Sequence, residues 1–404
     1  MALFPGMDEI KQTLGLESES ELESANDLAD ESRKISSLDH KAQHAAYMAR
    51  ALSLAKKGIY TTHPNPRVGC VIVKDNQIVG EGWHEFAGND HAEIVALKKA
   101  GKRAEGATVY VTLEPCCHHG RTPPCSTALI KAKVKTVVIA TEDPNPLVNR
   151  GGISDLQRAG IEVISGVAQN AAKELNKGFI KRVTTGLPWV TLKIAVSMDG
   201  KTALQSGESQ WITSEPARMD AHKLRARSSA ILTGVGTVLR DDPRMTARVD
   251  GVERQPLRVV LDSRLSTPMD AKILHEPGNV LLITTDESFE DDSDYQSAYQ
   301  SKNVEVITLE RKHGMIDIQA VMAELGKREV NELMLEAGAF LSGSMLKQGL
   351  VDECVIYMSP DLLGSESRGM FDIPGISQLS QRINFNFHDI RRVGRDCRIT
   401  LRTS

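Results

Sequence analysis

The sequence predicts two successive α/β domains that follow an acidic extension. Apolar, strand-like runs alternate with amphipathic, helix-like segments in both halves of the chain, which is typical of α/β layered domains. The alternation stops at Gly186-Leu187-Pro188 and then starts again. A chain of 404 residues with 41% hydrophobic content is also too long for one ordinary core. We therefore expect domains at residues 39–186 and 187–404, after an extension at residues 1–38.

The composition argues against nucleic acid and membranes as partners. The formal net charge is −4, and only 4% of residues are aromatic, so neither a basic surface nor a base-stacking platform is indicated. No apolar run approaches the length that spans a membrane, and residues 1–38 lack the basic and apolar blocks of a signal peptide. Six cysteines do not form the dense framework of a secreted domain, which favours a reducing, cytoplasmic location.

The extension at residues 1–38 is rich in Glu, Asp and Ser and has few large apolar residues after Leu22. Such a composition cannot bury enough apolar surface to fold alone, so we expect a disordered, solvated tail. A regulatory or partner-binding role is the alternative.

The first domain begins with a helix over residues 41–57, because Ala45, Met48, Leu52 and Ala55 form one apolar stripe. Asn65 stands between two prolines before the next strand. Its amide could serve a substrate, or it could simply form the turn, and the residues leave both readings open. The later elements are strands at 69–73, 78–83, 109–113, 134–140 and 161–164, and helices that follow His91, begin near Cys125, and span 153–159 and 168–182.

The strongest chemical signal is His91-Ala92-Glu93 followed by Pro115-Cys116 and Cys125. One histidine and two cysteines beside a glutamate that is not a ligand are the parts of a catalytic zinc site. His-x-Glu with a later Pro-Cys and a second Cys is typical of zinc nucleobase deaminases, in which the glutamate transfers protons. Here eight residues separate Cys116 from Cys125, where the short-spaced version has two.

Two features of this motif need a particular geometry. His91 and Glu93 are two residues apart and do not share a face of a regular helix, so His91 must lie at the helix entry if both reach one pocket. A purely structural zinc site would need a fourth protein ligand, which Cys117, His118 or His119 could supply. Simple burial of these residues is a further alternative.

Pro123-Pro124 stiffens the loop that returns Cys125 to the metal. His118, His119 and Arg121 in this loop either face an anion or form a solvated basic surface.

The second domain repeats the alternation of strands and helices. We expect strands at 189–196, 229–233, 257–261, 280–284, 304–308, 332–335 and 353–358, helices at 215–226, 316–325 and 339–348, and an acidic surface loop at 286–303.

Two glycine-containing turns of the second domain resemble phosphate-binding loops. Gly234-Val235-Gly236 fails as a dinucleotide fingerprint because Leu239 replaces the third glycine. The run from Glu336 to Ser344 places small residues between a strand and a helix, where backbone N–H groups can bind an anion. By itself this is weak evidence for nucleotide binding. Polar residues at predicted strand ends are by chemistry alone more typical of surface: Lys193, Asp199, Arg225, Asp241, Asp242 and Arg248.

Over residues 40–404 the sequence closely resembles the bifunctional riboflavin-biosynthesis family, a pyrimidine deaminase fused to a pyrimidine reductase. The resemblance rests on Thr61-Thr62-His63-Pro64-Asn65-Pro66, His91-Ala92-Glu93, Cys116 to Cys125, Ser206 to Ser214, Asp241-Asp242-Pro243 and Glu336-Ala337-Gly338. It implies a cytidine-deaminase-like α/β/α domain and a dihydrofolate-reductase-like α/β domain. It also implies Zn²⁺ and NADPH as cofactors, and a homo-oligomer, dimer or tetramer.

The reactions implied by the resemblance are consecutive. The substrate 2,5-diamino-6-ribosylamino-4(3H)-pyrimidinone 5′-phosphate loses an exocyclic amine as ammonia. NADPH then reduces the ribosyl group, and the product is 5-amino-6-(5-phosphoribitylamino)uracil. Small-molecule pyrimidine ribosyl phosphates are therefore the expected partners.

The resemblance also assigns roles to individual residues. The zinc ligands are His91, Cys116 and Cys125, and Glu93 is the catalytic proton shuttle. Deaminase-substrate contacts are Asn65, His84, His118, Arg121 and Thr122, the last three to the phosphate. NADP contacts are Ala195, Trp211, Thr237, Asp241, Ser263 and Gly338, Ala339, Phe340, Leu341, Ser342, Gly343 and Ser344. Reductase-substrate contacts are Ser209, Arg225, Met245, Arg248 and Glu336, where Arg225 and Arg248 suit phosphate geometry.

Two alternative functions compete with this interpretation. A zinc deaminase that acts on nucleic-acid bases needs a basic surface, which the negative net charge does not favour. A non-enzymatic, zinc-stabilised binding module needs a closed site with four protein ligands.

Overall fold

The computed structural model describes residues 39–117, 124–145, 150–285, 299, 303–312 and 314–403. Within them the predicted α/β class is confirmed, because the two large sheets, of five and nine strands, are each accompanied by helices, beside two small two-stranded sheets. The extension at residues 1–38 and most of the expected acidic loop at 286–303 lie outside the described residues. Among the helices that are described, none has the length and apolarity needed to cross a membrane.

The chain divides into two compact units. The first consists of the described part of residues 1–62 together with Pro66–Asn176, and the second of His63–Asn65 together with Lys177–Ser404. The expected domain boundary at 186/187 therefore lies one helix after the division by contacts.

The first unit contains a five-stranded sheet in the order β2-β1-β3-β4-β5. β1 is antiparallel to β2 and β3, whereas β3, β4 and β5 are parallel. The strands are β1 (Gly69–Lys74), β2 (Gln77–Trp83), β3 (Thr108–Val111), β4 (Thr136–Ile139) and β5 (Glu162–Ser165). The helices are α1 (His40–Lys57), α2 (Ala92–Ala100), α3 (Cys125–Lys131), α4 (Gly151–Arg158) and α5 (Gln169–Leu175), with a 3-10 helix at Gly101–Ala104.

Helices cover both faces of this sheet. Val71 of β1 packs with α1 and α5, whereas its neighbour Ile72 packs with α2, α3 and α4. Successive strand residues point to opposite faces, so continuous apolar runs such as Cys70 to Val73 are buried on both sides. The result is a three-layer α/β/α arrangement that holds the start of α2 beside the start of α3.

Gly69 is the point of closest approach between the sheet and α1. A Cβ atom at this position would lie 2.0 Å from the carbonyl oxygen of Ala51 and 2.7 Å from the backbone nitrogen of Ala55. Because both atoms belong to the backbone of α1, Gly69→Ala is expected to destabilise the first unit by about 3 kcal/mol. The loss of stability would be measured as the fall in the melting temperature at which ammonia release is lost on heating. A melting temperature within about 2 °C of the parent would contradict the expectation.

The predicted helix at 168–182 is wrong as one element. α5 ends at Leu175, and a separate helix, α6 (Lys177–Thr185), follows. The interruption is at Asn176, whose side chain accepts a hydrogen bond from the Arg67 backbone N–H and donates one to the Arg67 carbonyl oxygen. This partner lies 109 residues away in the sequence, so local periodicity does not reveal the break.

The second unit contains a nine-stranded sheet in the order β11-β10-β9-β8-β14-β6-β15-β18-β17. Strands β11 to β15 of this order are parallel, and β18 and β17 are antiparallel. The predicted strands appear as β6 (Trp189–Ser197), β8 (Ala230–Gly234), β9 (Leu257–Leu261), β10 (Val280–Thr284), β11 (Val304–Thr308), β14 (Glu332–Leu335) and β15 (Glu353–Ser359). The predicted helices appear as α7 (Glu215–Arg227), α10 (Ile318–Lys327) and α11 (Ala339–Lys347).

Several elements of the second unit were not predicted. The largest is a hairpin at the sheet edge, β17 (Phe385–Val393) with β18 (Asp396–Thr403), whose mixed apolar and charged residues show little alternation. The short elements are β7 (Lys201–Ala203), α8 (Val235–Asp241), α9 (Lys272–His275), β12 (Arg311–Lys312), β13 (Met315–Ile316), β16 (Arg368–Gly369) and a 3-10 helix at Leu379–Gln381.

Candidate deaminase and reductase sites

Three side chains of the first unit converge at the adjoining ends of α2 and α3. His91 is the N-cap residue of α2 and has extended backbone angles (φ −71°, ψ 159°). The required position of His91 at the helix entry is therefore confirmed. Cys125 is the first residue of α3, as predicted, and Cys116 precedes it in the loop after β3.

The ligand atoms of His91, Cys116 and Cys125 all lie within 4.8 Å of one another. The Nδ1 atom of His91 is 3.2 Å from the Cys125 sulfur and 3.5 Å from the Cys116 sulfur. Ligand atoms around a tetrahedral zinc ion stand about 3.5–3.8 Å apart, so this nitrogen and these sulfurs fit zinc. Among the described residues no fourth ligand joins the group, although His118 and His119 lie outside them.

Hydrogen bonds prepare one of the two thiols for ionisation. Together the Cys125 thiol, His91 and the Cys125 backbone N–H, whose nitrogen is 3.3 Å from the Cys116 sulfur, lower the pKa of Cys116 to about 4. Metal ligation requires thiolates, and a thiol that ionises this readily supplies one at neutral pH.

Glu93 lies one residue inside α2 and is only 3% exposed. Burial raises the pKa of its carboxyl group to about 7, although the nearby His91 opposes the rise. A carboxyl group with such a pKa can both accept and release a proton near neutral pH.

Glu114 holds the loop that carries Cys116, a role that was not predicted from the sequence. Its buried carboxylate accepts hydrogen bonds from the backbone N–H groups of Asp143, Arg150 and Ile153. The Ser126 N–H also donates to the Cys116 carbonyl oxygen, which ties the loop to the start of α3. The position of Glu114 directly before Pro115-Cys116 was the available signal.

The predicted contacts of the deaminase substrate have different surroundings. His84 is buried, its Nδ1 atom is 3.1 Å from the Asp90 carbonyl oxygen, and its ring packs edge-on against His91 with centroids 5.5 Å apart. Burial lowers the pKa of His84, so the ring is neutral at neutral pH. Asn65 is partly exposed in the loop before β1 and groups with the second unit. His118, Arg121 and Thr122 lie outside the described residues.

The second unit has a cavity of about 1540 Å³ at the carboxyl ends of its parallel strands. Ala195 of β6, Gly234 of β8 and Glu336 after β14 line it, and this edge is where open α/β sheets bind ligands. Its volume exceeds the usual range of about 300–1,000 Å³ for a single ligand, so a cofactor and a substrate can occupy it together.

Most residues predicted to bind NADP line this one cavity. They are Ala195, Trp211, Thr237, Asp241, Ser263, Gly338, Ala339, Phe340, Leu341 and Ser344. Ser342 and Gly343 do not, because both are buried on the other side of α11. A Cβ atom at Gly343 would lie 2.0 Å from the Asp372 carbonyl oxygen, so glycine is required there for packing. The free N–H groups at the start of α11 open to the cavity and suit a phosphate group.

All five residues predicted to contact the reductase substrate also line the cavity: Ser209, Arg225, Met245, Arg248 and Glu336. Arg225 forms a two-pronged ion pair with Glu336 (2.5 and 2.9 Å) and donates a third hydrogen bond to the Thr246 carbonyl oxygen. Its guanidinium group is thus largely occupied. Among the described residues, the Arg248 guanidinium donates one hydrogen bond, to the Thr246 hydroxyl at 3.4 Å. Arg248 is therefore the better placed of the two arginines to bind a phosphate.

The Glu336 carboxylate forms ion pairs with two basic side chains that line the cavity, Arg225 and Lys193. Lys193 Nζ lies 3.4 Å from Glu336 Oε2, the oxygen that also accepts a hydrogen bond from Arg225 Nη2. Burial alone would raise the pKa of Glu336, but Arg225 and Lys193 together hold it at about 2. The carboxylate stays ionised, and Lys193 is held facing the cavity.

His222 lies beside this cluster and was not predicted. Burial and the charges of Arg225 and Arg248 lower the pKa of His222 to about 4. Its Nδ1 atom accepts a hydrogen bond from the Arg248 backbone N–H at 3.3 Å.

Asp199 is outside the cavity lining, and its carboxylate accepts hydrogen bonds from the Ser197 hydroxyl and from the backbone N–H groups of Leu363 and Gly364.

Two family models match the chain. The cytidine and deoxycytidylate deaminase zinc-binding region matches residues 41–141, and the RibD C-terminal domain matches residues 188–399. Together the two matched regions include the three predicted zinc ligands and the residues that line the cavity.

Curated relatives and solved structures match both units together. The riboflavin biosynthesis protein RibD of Escherichia coli is 48% identical over 366 residues, which are 88% of this chain and 98% of that protein. The Aquifex aeolicus RibD is 42% identical over 87% of this chain and 96% of its own length. The structure of Acinetobacter baumannii RibD (form 2) has a TM-score of 0.82 at 42% identity, and covers 91% of this chain and 100% of that one. A Thermotoga maritima diaminohydroxyphosphoribosylaminopyrimidine deaminase/5-amino-6-(5-phosphoribosylamino)uracil reductase has a TM-score of 0.80 at 34% identity, with coverages of 90% and 100%.

Proposed function

Because this chain belongs to the RibD family of riboflavin-biosynthesis proteins, we propose which of its residues carry out the family's two reactions. The chain is a bifunctional enzyme with a zinc-dependent deaminase in a cytidine-deaminase-like domain and an NADPH-dependent reductase in a dihydrofolate-reductase-like domain. The domains at residues 39–186 and 187–404 carry one activity each.

The substrate of the first reaction is 2,5-diamino-6-ribosylamino-4(3H)-pyrimidinone 5′-phosphate, which loses one exocyclic amine as ammonia. The second reaction reduces the ribosyl group of that product and yields 5-amino-6-(5-phosphoribitylamino)uracil. The observation that carries this proposal is that the zinc group and a cavity large enough for two ligands occur in one RibD-type chain.

In the deaminase site, His91, Cys116 and Cys125 would hold zinc, which would lower the pKa of a bound water molecule so that it can attack the substrate. Glu93 accepts a proton from the attacking water and delivers it to the departing nitrogen, and its pKa of about 7 suits both transfers. His84 orients the His91 ring by packing against it.

In the reductase site, Trp211 and the residues at the start of α11 would bind NADPH, which would supply the hydride. Arg248 binds the phosphate of the substrate, and Ser209 and Met245 contact the rest of it. The reduction also consumes a proton. Lys193 carries N–H donors and is oriented toward the cavity by Glu336, so we assign it as the proton donor.

A cytoplasmic homo-oligomer is also part of the proposal. None of the six cysteines, all of which lie within the described residues, forms a disulfide, which is consistent with a reducing compartment. The edge strand β17 exposes Phe387 (71%) and Ile390 (57%), and an apolar sheet edge of this kind favours association. Light scattering on the purified protein would give the mass, and a monomer at micromolar concentration would contradict the oligomer.

The experiment that tests the function follows ammonia release and NADPH oxidation separately in one reaction with the diaminopyrimidine ribosyl phosphate. We expect ammonia without NADPH, and NADPH oxidation only after ammonia has formed. Oxidation of NADPH with no prior ammonia release would contradict the order of the reactions. Ammonia release with no NADPH oxidation would contradict the reductase assignment.

Removal of the metal should separate the two activities. After dialysis against a chelator, ammonia release is expected to fall at least about 100-fold, because the site loses the group that activates water. None of the three predicted zinc ligands is among the described residues that line the reductase cavity, so NADPH oxidation with the already deaminated substrate should stay unchanged. Added Zn²⁺ should restore ammonia release. Equal loss of both activities would show that zinc supports the whole chain instead.

A further inference from the structure

Asp396 is a buried carboxylate outside the cavity whose hydrogen bonds point toward a cavity wall. It begins β18, directly after the β17–β18 turn, and is 1% exposed. One of its oxygens, Oδ2, accepts hydrogen bonds from both the backbone N–H and the hydroxyl of Ser214, each at 2.7 Å. Among the described residues, the other oxygen has no hydrogen-bond partner and only Arg395 Nε at 3.9 Å. The two bonds to Ser214 are therefore the main polar contacts of this carboxylate.

The Ser214 side chain does not make the capping hydrogen bond that is usual at its position. It is the N-cap residue of α7, where a serine oxygen normally accepts a hydrogen bond from the first turn, yet no such bond is present. Its hydroxyl donates to Asp396 instead, and the buried negative charge lies at the positive end of the helix dipole. The hairpin turn also packs here, because a Cβ atom at Gly394 would lie 2.9 Å from Pro216.

The segment that ends at Ser214 forms one wall of the cavity. Ser209, Gln210, Trp211, Ile212 and Thr213 line the cavity in sequence, and Trp211 is 69% exposed. After Ser214, the same wall continues along α7. The anchors at this end of the segment are Asp396 and Arg218, which donates to the Thr213 carbonyl oxygen and lies over the Trp211 ring.

We infer that Asp396 is a positioning residue of the reductase: through Ser214 it fixes the cavity wall that carries Ser209 and Trp211. It does so without lining the cavity, from a hairpin at the far edge of the sheet. This inference rests on the reductase function proposed above.

The test uses Asp396→Ala and the near-isosteric Asp396→Asn in the full-length protein. A displaced wall weakens ground-state and transition-state binding alike, so the KM values for NADPH and for the deaminated substrate should rise about tenfold with kcat reduced less than about threefold. Ammonia release by the same chains should equal that of the parent. A variant that was merely less stable would lose active enzyme and show a lower apparent kcat with unchanged KM.

A double-mutant cycle tests whether Asp396 acts through Ser214. Ser214→Ala alone should raise the same KM values about threefold, and it should add nothing in the Asp396→Ala background. Asp389→Asn is the matched control, because it removes a partly exposed acid from the same hairpin, whose ion pair among the described residues is with Arg391 at 3.5 Å. It should leave both KM values unchanged.

Each outcome decides the inference. KM values of both Asp396 variants within about twofold of the parent, or an undiminished effect of Ser214→Ala in the Asp396→Ala background, would overturn it while the reductase function stands. A parent protein that oxidises no NADPH would instead overturn the reductase function and this inference together.

Discussion

Glu93→Gln is expected to reduce ammonia release by about 10³-fold while zinc remains bound. Positioned acid–base groups contribute about 10²- to 10⁴-fold to enzymatic rates, and glutamine can neither accept nor deliver the proton. The ligand atoms of His91, Cys116 and Cys125 are unchanged by this substitution, so the metal content should stay at one ion per chain. Glu93→Ala should give the same loss of ammonia release.

Metal analysis and both activity assays on the same sample would measure this result. Cys125→Ala is the matched comparison, because it removes a ligand and should lose both zinc and ammonia release. NADPH oxidation with the deaminated substrate should be unaffected in Glu93→Gln, Glu93→Ala and Cys125→Ala. This second activity is the control that shows that the reductase domain of each variant is folded. Glu93→Gln protein that still releases ammonia at a tenth of the parental rate or more would refute the role of Glu93 as proton shuttle.

The grouping of His91, Cys116 and Cys125 was predictable because their motifs are short and distinctive in the sequence. His91 and Glu93 lie two residues apart, and the proline before Cys116 fixes the register of the first sulfur. The requirement that His91 begin a helix followed from helix geometry alone, and the N-cap position satisfies it. The role of Glu114 was not predicted because its carboxylate accepts hydrogen bonds from backbone N–H groups. Backbone groups are the same in every residue except proline, so no sequence pattern identifies these partners.

The parts of the second unit that sequence analysis missed depend on distant partners. The longer strands and helices from β6 to β15 followed from apolar periodicity, whereas the β17–β18 hairpin mixes charged and apolar residues and shows no clear alternation. The pairing of Arg225 with Glu336 joins residues 111 positions apart, so a sequence motif cannot show that this arginine is already occupied. Asn176 illustrates the same limit for a helix boundary.

The ion pair between Arg225 and Glu336 should be the most sensitive structural contact of the reductase. Its side chains are only 16% and 11% exposed. Removal of Arg225 leaves the buried Glu336 carboxylate with Lys193 at 3.4 Å in place of a two-pronged pair. Arg225→Ala is therefore expected to destabilise the second unit by about 3–5 kcal/mol and to abolish NADPH oxidation. Arg225→Met combined with Glu336→Leu should recover much of the stability but none of the activity, because Lys193 then loses the group that orients it.

The pH dependence of stability gives an independent measure of the same contact. The pKa of Glu336 is about 2 in the folded protein and about 4.3 in an unfolded chain, so the unfolded state binds the proton more tightly. Its contribution, about 3 kcal/mol, is therefore complete above about pH 5 and is lost as the pH falls from there toward 2. Denaturant unfolding of the second unit between pH 7 and pH 3 should show this decline in the parent and a shallower one in the Arg225→Met/Glu336→Leu variant. Parallel declines in the two proteins would mean that other carboxylates dominate the acid sensitivity, and that Glu336 is not held ionised by Arg225 and Lys193.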